Sequence, residues 1–138
     1  MMDLNNYKGA VTWLRGNLAE FQARPSDPTV QFALLQSFEV THNLSEAILR
    51  GAYVSLGVDE YAPYLSLREL IWRAGEEGFV LSTRKDWLQY GLALETMREA
   101  LNLSATGGIG DAAQLLSRFA DDLEVFSRCL DRRLVSNG

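Results

Sequence analysis

A chain of 138 residues, 47% hydrophobic and 22% charged, is long enough to close one core and has the composition of a globular domain. Its net charge of −5 argues against broad, charge-driven binding to nucleic acid or anionic lipid. No run approaches the roughly 18 apolar residues that span a bilayer, the start Met1-Met2-Asp3-Leu4-Asn5-Asn6 lacks the features of a signal peptide, and the lone Cys129 cannot pair internally. The expectation is a single cytoplasmic domain, residues 1–138.

The periodicity is helical throughout. Leu4, Tyr7, Val11, Leu14, Leu18 and Phe21 alternate spacings of three and four, which predicts a first helix of about five turns with a coiled-coil-like seam. Arg24-Pro25-Ser26-Asp27-Pro28 ends it, because each proline disfavours helix at the residue before it. Asp27 or Thr29 caps a long second helix that runs to about Leu56, with Gly57 as its stop. After the loop Val58–Leu65, Ser66-Leu-Arg-Glu69 reads as a capping box opening a short third helix, which Gly75 and Gly78 end. Gly78-Phe-Val-Leu81 is too short to pair as a strand. Ser82 or Thr83 caps a fourth helix carrying Trp87, Leu88, Leu92, Leu94, Met97 and Leu101.

The stretch Asn102–Gly110 breaks the pattern and reads as a flexible connector. Asp111 then caps a long last helix whose inner face is Ala112, Leu116, Phe119, Leu123, Phe126, Leu130 and Leu134. The resulting expectation is an all-α fold: an up-and-down four-helix bundle with one additional short helix.

The second helix also carries polar groups where a buried helix should be apolar. Glu39, His42, Asn43 and Glu46 fall at i, i+3, i+4 and i+7 and so share a face. They lie within the stretch of strongest core character, Phe32–Leu49, and His42 is the chain's single histidine. Such a face either points at water, with Arg50 as an i,i+4 partner for Glu46, or lines a cleft. In a bundle, Arg98 late in the fourth helix can meet Glu39 or His42 across that cleft, and a buried carboxylate needs such a partner.

Other chemistries are weakly supported. Glu39-Val-Thr-His42 has the Glu-x-x-His form of a bundle metal site, but only once. No nucleophile elbow is evident. Gly107-Gly108-Ile109-Gly110 precedes a helix and could face a phosphate, but no strand leads into it and Asp111 would repel an anion. No metal, cofactor or catalytic residue is assigned.

Phe38-Glu39-Val-Thr-His-Asn-Leu-Ser-Glu-Ala resembles the Phe-Glu start of the long second helix in the nucleotidyltransferase substrate-binding family, a branch of the HEPN superfamily of helical bundles. Ser66-Leu-Arg-Glu-Leu-Ile-Trp-Arg-Ala-Gly-Glu-Glu-Gly-Phe-Val looks like that family's short third helix and turn. Trp87 and Met97-Arg98 look like the tryptophan and arginine of its next helix, so the resemblance runs from about Leu4 to Leu134. It implies a homodimer and a partner, a separately encoded minimal nucleotidyltransferase that supplies the catalytic carboxylates and the metal. It further implies a nucleotide or RNA ligand. In related HEPN proteins the bundle is a ribonuclease toxin, with an arginine and a nearby histidine at the dimer cleft and the nucleotidyltransferase as antitoxin.

The departures are informative. Glu99 stands where asparagine is usual, Asn43 replaces a common glutamate, and Leu103 stands near the place of the ribonuclease histidine. Leucine cannot move a proton near neutral pH. Between Trp87 and Arg98 there is also about one extra helical turn. The reading is therefore a non-enzymatic binding subunit, in a pair of toxin–antitoxin type, with a ligand cleft at Glu39, His42, Asn43, Arg98 and Asn102. The alternatives are a degenerate HEPN-type ribonuclease and a purely structural oligomeric protein.

Overall fold

A computed structural model describes residues 4–79, 84–102 and 107–137. Among these residues there are six α-helices and no strand. They are α1 (Asn5–Ala23), α2 (Pro28–Ser55), α3 (Leu67–Glu76), α4 (Arg84–Asn102), α5 (Gly107–Gln114) and α6 (Leu116–Asn137), with a 3₁₀ turn at Ala62–Tyr64. The all-α expectation holds.

The boundaries follow from local chemistry. Asp27 is the N-cap of α2 and its carboxylate accepts from the Thr29 amide at 2.9 Å, with Pro28 in the first turn, where a missing N–H costs nothing. The residue after its C-cap is Gly57, at φ +67°, a left-handed conformation that glycine adopts without a Cβ clash. Ser66 caps α3 by accepting from the Glu69 amide at 3.2 Å, and its hydroxyl reaches the Glu69 carboxylate at 3.0 Å. Gly78, at φ +74°, closes the end of α3, while Gly75 lies inside the helix. The caps expected at Ser82 or Thr83 fall outside the described residues.

α2 is the hub. It packs against α1, α3, α4, α6 and the 3₁₀ turn, and α1 also packs along α6. All six seam residues of α1, from Leu4 to Phe21, are buried, each fully buried side chain contributing roughly 1.5–3 kcal/mol. Facing them on α2 is a row of small polar residues, Ser37, Thr41 and Ser45, also buried. Their hydroxyls donate back to the carbonyls of Leu34, Ser37 and Thr41, so α1 is met by short side chains with satisfied polar groups.

Several expectations need correction. Gly107–Gly110 is not a flexible connector but the first turn of α5. Glycine costs about 1 kcal/mol per helical position, and the burial of Ile109 against the core holds this turn in place. Asp111 consequently lies within α5 and caps nothing. The last helix is also two helices: at Leu115 the amide bonds to Ala112 O, a tight i→i−3 bond that separates α5 from α6. On α4, Leu94 and Met97 are buried with Trp87, but Leu88 and Leu92 face outward. Tyr90, Ala93 and Ala100 take the inner positions instead. Phe32 is 54% exposed and Val40 is exposed too, so the stretch of strongest core character is not buried all round.

Candidate functional site

The polar stripe of α2 divides between three environments. Glu39, at the α4 side, meets Arg98: Nη2 donates to Oε1 at 2.8 Å, with both side chains about two-fifths exposed. This joins two helices 59 positions apart in sequence at the rim of their seam. One turn on, His42 turns inward. Its ring stands edge-on to Phe38, 6.2 Å away, and tilted over Phe119 of α6 at 6.0 Å. Gly91 of α4 lies opposite Nε2, where a Cβ would sit at 3.9 Å.

His42 Nε2 is shut off from water and has no hydrogen-bond partner. A buried polar atom left unpaired costs about 1–3 kcal/mol. Burial in this aromatic setting pushes the His42 pKa below the usual histidine value; the Glu46 carboxylate works against that, and the Arg98 guanidinium adds to it. The imidazole is therefore neutral near pH 7, a hydrogen-bonding group rather than a cation.

Glu46 leaves this site. It pairs with Arg50 at 3.1 Å, and the same guanidinium donates to Ala62 O and Leu65 O, at 2.9 and 2.6 Å. That pair clamps the 3₁₀ turn onto α2, a structural task. Asn43 is exposed and lines a shallow depression with Ala47, Gly51, Val54 and Pro63. Asn102 is exposed at the end of α4. Of the five residues expected at the cleft, the structure brings Glu39, His42 and Arg98 together. Asn43 turns to a different surface from His42. Leu103 lies outside the described residues.

Beneath the imidazole is an aromatic cluster from three helices: Phe38, Trp87, Tyr90 and Phe119, with Trp87 and Tyr90 each packed on Phe119 at 5.6 and 5.0 Å. Here lies a group the sequence reading passed over. Asp122 is only 1% exposed and accepts from the Tyr90 hydroxyl at 2.7 Å. The signal was available: Asp122 stands between Phe119 and Phe126 at spacings of three and four, on the inner face. Burial also pushes the Tyr7 hydroxyl's pKa up, partly offset by its bond to Ser45 and reinforced by the Asp122 charge.

Among the described residues, no three imidazole, thiol or carboxylate groups gather so as to hold a metal. No helix among them is long and apolar enough to cross a membrane. What this seam offers is an arginine at the rim, a carboxylate bound to it, and an unspent imidazole nitrogen behind. That set can exchange one ion pair for another and accept or donate one hydrogen bond. Set against known families and against curated proteins, the chain matches none.

Proposed function

We propose that this chain is a non-catalytic, substrate-binding partner of a separately encoded minimal nucleotidyltransferase, in a pair of toxin–antitoxin type. In this reading the four long helices α1, α2, α4 and α6 form an up-and-down bundle, with α3 and α5 as short additions where one was expected, and the protein is a cytoplasmic homodimer. The observation that carries it is the Glu39–Arg98 bond between α2 and α4. It unites two of the residues by which the chain resembles the nucleotidyltransferase substrate-binding family. Arg98 is exposed enough to release Glu39 and take an anionic group of a nucleotide or RNA ligand, and a guanidinium suits a phosphate bidentately.

Two features favour binding over cleavage. The only histidine is His42, wedged against Phe38 and Phe119 with a lowered pKa. Such an imidazole is a poor source of a proton for a leaving group. The dimer draws support from Trp13, Tyr61 and Tyr64, which are exposed.

Co-expression with the product of the adjacent gene tests the reading. A stable complex with a small nucleotidyltransferase, weakened at least about tenfold by Arg98→Ala in a variant that still folds, is the expected result. Loss of fold with no separate loss of binding would sink the role of Arg98. RNA cleavage by the purified protein, abolished in the same variant, would replace this reading with a HEPN-type ribonuclease. A monomer by light scattering at micromolar concentration would remove the dimer.

A further inference from the structure

The surface shared by α3 and α4 carries a second, separate feature. Leu67, Arg68 and Ile71 of α3 and Trp87 and Leu88 of α4 enclose a small, almost wholly apolar pocket. Trp87 is 3% exposed, and its indole Nε1 is buried without a hydrogen-bond acceptor. Around the pocket the surface is apolar where it should be polar. Trp72, one turn beyond Arg68, is 57% exposed, and Leu92, one turn beyond Leu88, is 62% exposed.

The charges here are uncommitted. Most cations of this acidic chain are tied up: Arg73, Arg98, Arg118 and Arg133, for example, all hold carboxylates. None of the ion pairs among the described residues includes Arg68 or Lys85. Lys85 precedes Leu88 and Leu92 by three and seven positions, on their face of α4. Glu95 and Glu99 continue the same face beyond Leu92, so the positive end is the end with the pocket.

We propose that this surface docks an acidic, leucine-bearing segment of a separate protein. One apolar side chain of that segment enters the pocket. Its carboxylates lie at Arg68 and Lys85, away from Glu95 and Glu99. The pocket would hold only part of one side chain, whereas Trp72 and Leu92 extend the apolar area well past it, which fits a peptide segment better than a small molecule. The inference stands on α3 and α4 alone and holds whatever the Glu39–Arg98 face binds.

The test uses the full chain, labelled with nitrogen-15, and a synthetic peptide of about fourteen residues, roughly four helical turns. The peptide carries glutamates in its first turn and leucines at spacings of three and four. A saturable shift of the Trp87 and Trp72 indole signals is expected, with the Trp13 signal on α1 unmoved; Trp→Phe variants assign the three. Replacing the peptide's glutamates by lysines should weaken binding at least about fivefold, and the double variant Arg68→Glu/Lys85→Glu should weaken it about tenfold. Both substituted residues are exposed and unpaired, so the variant should keep its fold. No shift at about 1 mM peptide, movement of all three signals alike, or equal affinity for the two peptides would overturn the proposal. So would phosphatidylserine vesicles that move the Trp72 and Trp87 signals when the peptide does not.

Discussion

The α1–α6 seam and the α2–α4 seam solve the same packing problem differently. Between α1 and α6 the contact is mostly apolar, with Tyr7 edge-on to Phe126 at 5.7 Å, and the buried carboxylate behind it, Asp122, is satisfied by the Tyr90 hydroxyl; the ion pairs lie at the rim. Lys8–Asp131 and the fork of Arg15 onto Asp121 and Glu124 stitch the rim. Those pairs are more than a third exposed, and such pairs add little to stability. Between α2 and α4 the rim also carries an ion pair, Glu39–Arg98, but an imidazole with an unpaired nitrogen stands directly behind it. A seam built for stability would place an apolar side chain there. The α2–α4 seam therefore gives up some of the stability that an apolar side chain would supply there.

The largest expected effect would show that the two seams share one core. Phe119→Ala removes the ring on which Phe38, His42, Trp87 and Tyr90 all pack. It should cost about 3–5 kcal/mol in urea denaturation. A loss below about 1 kcal/mol would mean that the aromatic cluster is not the centre of the fold. Next comes Tyr90→Phe, which keeps the ring and deletes the hydroxyl that donates to buried Asp122. The expected loss is about 1–3 kcal/mol. The same change at an exposed residue, Tyr64→Phe, should be close to silent, and equal effects would contradict the burial contrast.

Acid separates the seams next. The folded pKa of His42 is lowered by burial, so the unfolded chain takes up the proton more readily. Stability from this group is then complete above the ordinary histidine value of about 6.5 and is lost as pH falls from there through the lowered folded value. His42→Leu removes the term. The variant should gain on the parent progressively between about pH 7.5 and pH 5, on top of carboxylate titration common to both. A difference in unfolding free energy that stays flat across that window would show that the imidazole is not held neutral. The α1–α6 seam has no histidine, so Leu14→Ala, which is destabilising, should leave the pH profile parallel to that of the parent.

The fold was more legible than the site. The α1 seam and the inner face of α6 are strict three-and-four patterns, and burial follows them from Leu4 to Phe21 and from Leu116 to Leu130. The break at Leu115 was invisible because the apolar spacing of Ala112, Leu116 and Phe119 runs straight through it, with neither proline nor glycine to mark it. On α4 apolarity misled. Leucines occupy both sides of that helix, and the inner side is shared by Trp87, Leu94 and Met97 with Tyr90, Ala93 and Ala100. The glycines of α5 misled for a different reason, since helix propensity there is overridden by the packing of Ile109. In the site, helical spacing placed Glu39, His42 and Asn43 on one face but could not say that the face straddles a seam. Its members therefore parted, with Glu39 to Arg98, His42 into the aromatic cluster and Asn43 outward.

The smallest effect carries the sharpest distinction. Double-mutant cycles on Glu39/Arg98 and on Glu124/Arg15 should give coupling energies of about 0.2–1 kcal/mol each, because all four side chains are at least a third exposed. By stability alone the two pairs are then alike. They should differ in what happens when the pair opens. Freed of Glu39, Arg98 presents its charge beside the unpaired Nε2 of His42, whereas Arg15 faces only the carboxylates of α6. Glu39→Gln should therefore raise affinity for an anion such as inorganic phosphate several-fold, read by titration of the His42 ring signal. Glu124→Gln should leave that titration unchanged, since Asp121 still holds Arg15 at 2.7 Å. Equal responses in the two variants would reduce Glu39–Arg98 to a rim stitch like the others, and the imidazole behind it to a tolerated defect in packing.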